Sequence, residues 1–503
     1  MSKKNFLIFD FGASNGRASV GNFDGNRFEI DIVYRFDNNP VYATGTLYWD
    51  FLRLYGELKN GITMAFKKYG SNIISLGIDT WGCDFGFIDR NGKLISNPIH
   101  YRDVKRNSVC QDLFKIIPEE EIFSLSGSPL FTVNSVFNLF ALKKFDFLEL
   151  RTAYKYLMIP DLFNYFLTGA AFNEYTDAAT TCMCNQVEKK WESKIITDVI
   201  GVTLDIFCEI VQPGTIIGMI KDDVAKELEI KPINVVAPST HDTPSAIAGT
   251  PVIDKGKKIA FISLGTWGVV ISETNKPLIN SEIFKSGFGN EAGVENTNLI
   301  YKDITGLWII QQCMLTWKKE KDSNFGWNDI DNLYPKADRF MSFIDVDDPT
   351  FVLASSDMTE TVKSYCRKKG QRAPETIAEI SRCLYENLVF KIRQNIETLQ
   401  KIKGEEIGLI HISGGGSKNS LFCQWISNCL GIPLDSGPVE TTSIGNMIMQ
   451  LKAAGEIKSL KEGRQISYNS SIVIHFEPDL KQKDIWDEAY NTYLNVIFRN
   501  IYK

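Results

Sequence analysis

No apolar run in this 503-residue chain approaches the length of a membrane-spanning helix. The first one, Phe6 to Phe9, stops at Asp10 and is too short for a secretory core. Basic charge is also lacking. The formal net charge is -6, so neither nucleic acid nor an anionic membrane is expected as the main partner. Ten cysteines are scattered, and the closest pair, Cys182 and Cys184, lacks the two-residue spacing of a zinc knuckle. Reduced, mostly buried thiols in a cytoplasmic protein are expected, with a sporadic disulfide as the lesser alternative. There is no low-complexity linker. Hydrophobic residues at 44% and charged residues at 23% exclude disordered and fibrous classes.

The familiar nucleotide motifs are missing as well. No Gly-x-x-x-x-Gly-Lys-Ser/Thr occurs, and Gly287-Phe288-Gly289 lacks the third glycine of a dinucleotide fingerprint. Asp10-Phe11-Gly12, Asp84-Phe85-Gly86 and His100-Tyr101-Arg102-Asp103 imitate protein-kinase motifs, but in the wrong order and without the Gly-rich loop and lysine strand that should precede them. A nucleotide, if bound, is bound otherwise.

What is present reads as α/β, with room for about three domains or two larger ones. A β-rich stretch, Asn5 to Tyr34, precedes a helix marked by Leu54, Leu58, Ile62 and Phe66. Ile73 to Asp79 and Ile233 to Ser239 read as buried strands. A second β-rich stretch opens at Lys257. A long helix is expected from Pro374, with Ile377, Ile380, Leu384, Leu388, Ile392, Ile396 and Leu399 on one face. Trp486, Tyr490, Leu494, Ile497 and Phe498 mark a terminal helix that could return to the first half. Lys318 to Asp331 reads as a surface loop.

The strand-turn-strand around Asp10 to Gly16 resembles that around Leu264-Gly265-Thr266. Small residues at such tips let backbone N–H groups approach phosphate oxygens. Asp10, at the end of an apolar strand, needs a cation or donors; a water-held magnesium ion or a turn bonded to its own backbone would serve. Arg17 could meet a phosphate or lie in solvent. Gly414-Gly415-Gly416 joins a strand to a helix, a ledge suited to a base, ribose or phosphate. Asp242, between a strand and Ser245-Ala246-Ile247-Ala248, is either a helix cap or an ionised carboxylate able to accept a hydroxyl proton. Trp81 beside Gly82 is either a wall against a sugar face or a core residue.

Taken in order, these elements resemble the FGGY carbohydrate kinases of the actin-like ATPase (ribonuclease H-like) fold. The matching stretches run along nearly the whole chain: Gly45 to Asp50, Asp79 to Gly82, Pro98 to Asp103, Met158 to Asp161, Glu174 to Ala178 and His241-Asp242-Thr243. Gly265-Thr266-Trp267, Asn290-Glu291, Gly306-Leu307-Trp308, the triple glycine and Gly437 to Glu440 follow. The resemblance implies a two-domain α/β fold with a catalytic cleft between lobes that close to exclude water. Residues 1–246 would form the sugar-binding lobe, joined by a C-terminal helix within 471–503, and 247–470 the nucleotide-binding lobe. It implies transfer of the ATP γ-phosphate to the terminal hydroxyl of a ketose, with L-rhamnulose as the expected acceptor and L-fuculose or L-xylulose as alternatives. Asp242 would accept the proton, with Gly82, His241, Asp242 and Thr243 on the sugar. Ala13, Ser14, Asn15, Gly16, Arg17, Thr266, Gln311 and Gly416 would face the nucleotide, and Asp10 would hold Mg2+ through water. Where the pattern has Lys-Asn, with the Asn on the sugar, this chain has Lys302-Asp303; Asp only accepts hydrogen bonds, whereas Asn also donates. The expected partners are a ketose and ATP, for a monomer or homodimer. A nucleotide-binding sensor on the same fold would keep the phosphate turns but has no reason to carry His241-Asp242-Thr243.

Overall fold

Phe6, Leu7, Ile8 and Phe9 are wholly buried in strand Lys4–Phe11, so successive side chains on both faces of the strand are covered, as a central strand requires. The structure, a computed structural model, describes residues 3–253, 256–321, 324–352, 355 and 357–498. The chain forms two compact units. The first comprises Met1–Ile253, Glu273–Ile300 and Glu440–Ser471; the second comprises Asp254–Ser272, Tyr301–Val439 and Ile472–Lys503.

The first unit carries a six-stranded sheet in the order Phe28–Asp37, Asn15–Phe23, Lys4–Phe11, Ile73–Thr80, Asn234–Ala237, Thr215–Met219. Lys4–Phe11 pairs antiparallel with Asn15–Phe23 and parallel with Ile73–Thr80. In the second unit Ile259–Leu264 repeats this, antiparallel to Trp267–Thr274 and parallel to Leu409–Ser413, with Leu434–Ser436 and Ile474–Phe476 following in the same order and sense. The two similar turns of the sequence are therefore the equivalent hairpin tips of a duplicated sheet.

Helix Phe51–Tyr69 buries Leu54, Leu58 and Ile62 against the first sheet, as its spacing predicts. The long helix is Ile377–Lys403. It starts after Pro374, because Thr376 and Glu379 close a capping box that satisfies its first N–H groups. Lys318 to Asp331 is not a loop throughout: helix Trp308–Glu320 runs into it and helix Trp327–Leu333 begins inside it, with the Gly326 N–H bonded to Asp329 at 2.8 Å.

The expected lobe boundaries also change. Terminal helix Leu480–Phe498 lies in the second unit, where Trp486 packs on Phe340, Phe390 and Trp425 at ring distances of 4.9, 5.6 and 5.9 Å. The aromatic face that suggested a return to the first half finds its partners on the long helix and on Ser420–Leu430. Conversely, helix Thr441–Ala453 packs in the first unit on helix Asp242–Gly249. Glycines on both helices allow this crossing, since a Cβ at Gly445 would stand 1.8 Å from the Ser245 carbonyl oxygen and one at Gly249 would stand 2.0 Å from that of Thr441.

Candidate active site

Asp242 is the first residue of helix Asp242–Gly249, and the cap position before it belongs to His241. The cap reading of Asp242 therefore fails, and its carboxylate stands at the positive helix start. The strand end that delivers it is pinned from below. Buried Glu174 accepts hydrogen bonds from the Thr240 N–H at 3.0 Å, the Thr240 hydroxyl at 2.6 Å and the Thr176 hydroxyl at 2.5 Å. The Asp242 side chain is 38% exposed. Its Oδ1 lies 3.3 Å from Nε2 of His241 and accepts from the Thr243 hydroxyl at 3.2 Å. Loss of solvent, then Asp10 and Glu291, raise the Asp242 pKa above the usual carboxylate range, with His241 acting the other way.

Gly82 belongs to the same place. A Cβ there would meet Thr180 at 2.8 Å and Nε2 of His241 at 3.1 Å, so only glycine lets the loop approach the imidazole this closely. Gly82, His241, Asp242 and Thr243 are thus brought together in the first unit. Asp303 lies exposed on strand Asn298–Thr305, in the part assigned to the second unit.

Trp81 is a core residue, not a sugar wall. It is 5% exposed, packs on Trp49 at 4.0 Å, and gives its Nε1–H to Asp84 at 3.1 Å. Asp84 also accepts from Trp49 Nε1, the Tyr101 N–H and Arg106 at 2.6, 3.0 and 2.5 Å. His100-Tyr101-Arg102-Asp103 likewise has a structural part: Asp103 caps helix Val104–Ile116 and accepts from the Leu47 N–H at 2.8 Å.

At the first hairpin tip Asp10 and Arg17 face each other across the strands, with the guanidinium on Asp10 Oδ2 at 2.5 and 3.1 Å and also on Glu440. Arg17 therefore neither hangs in solvent nor stands free for a phosphate. Asp10 makes no bond to its own backbone turn; the tip is closed instead by the Gly12 N–H on the Asn15 carbonyl and by Asn38 on Gly12. Ser14 and Asn15 are exposed at the tip, and Ala13 is half-buried against the core. Gly16 lies under Phe36, where a Cβ would come within 2.2 Å of the ring, so packing alone requires it.

Beside Asp10 in register lies Asp79, buried, with Asn446 Nδ2 on one oxygen at 2.6 Å and no hydrogen-bond partner on the other. Burial, then Asp10 and also Asp242, push the Asp79 carboxyl well above its usual range, against the Asn446 bond and Arg17. This acidic surrounding suits a cation held through water. Among the described residues no group of three ligands could hold a metal directly.

In the second unit a cavity of about 340 Å³ is lined by Gly265, Gln311, Trp327, Asp331, Tyr385 and Gly416, among others. Gln311 and Gly416 thus share one cavity, and Thr266 is exposed on the adjoining tip, its carbonyl accepting from Trp308 at 3.0 Å. The triple glycine packs on this hairpin. Gly414 has a positive φ of 78°, and Cβ atoms at Gly414 and Gly416 would stand 2.8 and 2.5 Å from Leu264. Sequence reasoning missed Trp327 and Asp331 by reading their segment as loop. It passed over Glu291, whose carboxylate pairs with Nδ1 of His241; the Asn290-Glu291 match was its only signal.

Two units with equivalent sheets and small-residue hairpin tips make a two-domain α/β fold, and solved structures of sugar and polyol kinases share it. A ligand-bound xylulose kinase from Lactobacillus acidophilus superposes with a TM-score of 0.80 at 16% identity, covering 98% of this chain and 97% of the other. Plasmodium falciparum glycerol kinase with ADP gives 0.79 at 17%, covering 99% and 98%. Residues 5–249 match the N-terminal domain, and residues 260–454 the C-terminal domain, of the FGGY family of carbohydrate kinases. Rhamnulokinase from Bacteroides thetaiotaomicron is 34% identical over 498 residues, spanning 98% of this chain and 100% of the relative; that from Ligilactobacillus salivarius is 33% identical over 497, spanning 98% and 99%. The chain belongs to the FGGY family of carbohydrate kinases, so the sensor alternative is set aside.

Proposed function

We propose that this kinase transfers the γ-phosphoryl group of ATP to the terminal hydroxyl of L-rhamnulose, giving L-rhamnulose 1-phosphate and ADP. The observation that carries the reading is the carboxylate of Asp242, half-open at a helix start, with one oxygen engaged by His241 and Thr243. The full-length similarity to rhamnulokinases supports the acceptor. In the reaction the sugar hydroxyl oxygen bonds to the γ-phosphorus as its bond to the ADP oxygen breaks, and the proton passes to Asp242. A loose transition state asks little more of the base than position. Gly82, His241 and Thr243 orient the sugar; Ala13 to Arg17, Thr266, Gln311 and Gly416 bound the nucleotide site, Arg17 and Gly16 by shaping the tip. Asp10 is the residue that would hold Mg2+ through water, and the ion would offset phosphate charge. The protein works in the cytoplasm.

ADP release with a panel of ketoses tests this. Asp242→Asn is expected to lower turnover by about 10²- to 10⁴-fold, the usual worth of a positioned base. Unchanged turnover would remove Asp242 from the chemistry, and a ranking not led by L-rhamnulose would overturn the acceptor.

A further inference from the structure

Both ring nitrogens of His241 face carboxylates. Nδ1 is ion-paired with Glu291, and Nε2 is 3.3 Å from Asp242 Oδ1. A neutral imidazole would offer these two anions no charge; only the imidazolium is an ion-pair partner for both. Glu291 itself is 5% exposed on strand Gly289–Ala292. Its neighbour Asn290 fixes that strand through bonds of Nδ2 to the Gly127 and Leu278 carbonyls, both at 2.9 Å, and of its own carbonyl to Gln186 at 3.0 Å. A Cβ at Gly289 would stand 2.3 Å from Pro129, so the strand lies tight against the segment that anchors it.

We propose that Glu291 is a positioning residue for the base: it grips His241 as a doubly protonated ring and thereby aims Nε2–H at Oδ1 of Asp242, leaving Oδ2 to take the hydroxyl proton. The inference rests on the reading of Asp242 as the base, and nothing in the family match assigns Glu291 a role. Electrostatics agrees with the geometry. Burial works against the charged ring, but Glu291 first, then Asp242 and Asp177, outweigh it and hold the His241 pKa at about 10. The other groups within electrostatic reach of Asp242 are Asp10, Asp79, Asp177 and Tyr101. All but the tyrosine are acids, so the imidazolium is the one cation in contact with Asp242 among the described residues.

The chain has four histidines, so the ring of His241 can be followed by ¹⁵N NMR of the histidine-labelled whole protein, with His241→Gln assigning the signal. In the wild type both ring nitrogens are expected to stay protonated at pH 8, and in Glu291→Gln the ring is expected to be neutral there. The same variant is expected to lose about 10- to 100-fold in kcat, with KM for ATP unchanged, since misplacing a base costs turnover rather than donor binding. Glu291→Asp, which keeps the charge, should recover part of that loss. A neutral wild-type ring at pH 8, or wild-type kcat in Glu291→Gln, would overturn the proposal. If Glu291→Gln does not fold, the wild-type titration and Glu291→Asp decide. If no ketose is phosphorylated by the wild type, the functional reading fails while the titration still judges the clamp.

Discussion

A carboxylate without solvent contact persists at position 84 because four donors reach it, two of them indole N–H groups and one the guanidinium of Arg106, itself 1% exposed. The pair joins the segments around Trp49, Trp81 and Tyr101, which carry the loop bearing Gly82. Arg106→Ala would leave Asp84 with a buried uncompensated charge, and a loss of about 3–5 kcal/mol is expected in urea unfolding. Asp242 makes a different prediction. Its pKa is raised, and only the ionised form accepts a proton, so kcat/KM should fall as pH is lowered at a higher pH than an ordinary aspartate would give; a pH–rate profile checks this. Asp303→Asn, assayed on the ketose panel, should shift the preference among sugars; an unaltered ranking would free that position of any such role. At this scale the sequence shows which residues share a tight local motif, as His241-Asp242-Thr243 do, and the fold sets that motif beside Gly82. The sequence misled where the partner is distant along the chain: Trp81 looks exposed beside its glycines until Trp49 is packed against it.

At the scale of elements, helix Thr441–Ala453 holds the first unit's chemistry in place. Asn446 binds Asp79, Gln450 accepts from Ser75 at 2.6 Å and donates to the Leu7 carbonyl at 2.9 Å, and Glu440 at its cap pairs with Arg17. Gly445→Ala would force this helix away from Asp242–Gly249, costing about 1–3 kcal/mol in urea unfolding as overpacking does and lowering kcat by displacing Asp242. Retained kcat and stability would show that the crossing has slack. The strands, the first amphipathic helix and the strand–glycine–helix junction were legible because each repeats with its own period or breaks at a glycine. Asn446 and Gln450 were not, since buried polar residues in a helix have the same letters as solvent-facing ones. Pro374 drew the start of the long helix too early because the capping box at Thr376 and Glu379 supplies the actual stop to the preceding chain.

For the whole molecule, Asp242, the proposed base, lies in the first unit and the cavity holding Gln311 and Gly416 in the second. Gln311→Ala is accordingly expected to raise KM for ATP by about 2- to 10-fold, the worth of one hydrogen bond, with KM for the sugar unchanged in steady-state assays. The duplication was visible in two similar turns, yet the unit boundaries were not, because the chain re-enters the first unit twice after leaving it at Ile253.

That re-entry sets an order of events during synthesis. When the ribosome has released Asp242, the helix that must lie across it is still some two hundred residues away, which at usual elongation rates is a wait of about 10–40 s. Until Thr441–Ala453 emerges, Gly249 faces no partner, Asp79 has no Asn446 and Arg17 has no Glu440. The nascent chain therefore carries Asp242 and its neighbours Gly82 and Glu291 for much of its synthesis without their final support, and becomes a kinase only near completion.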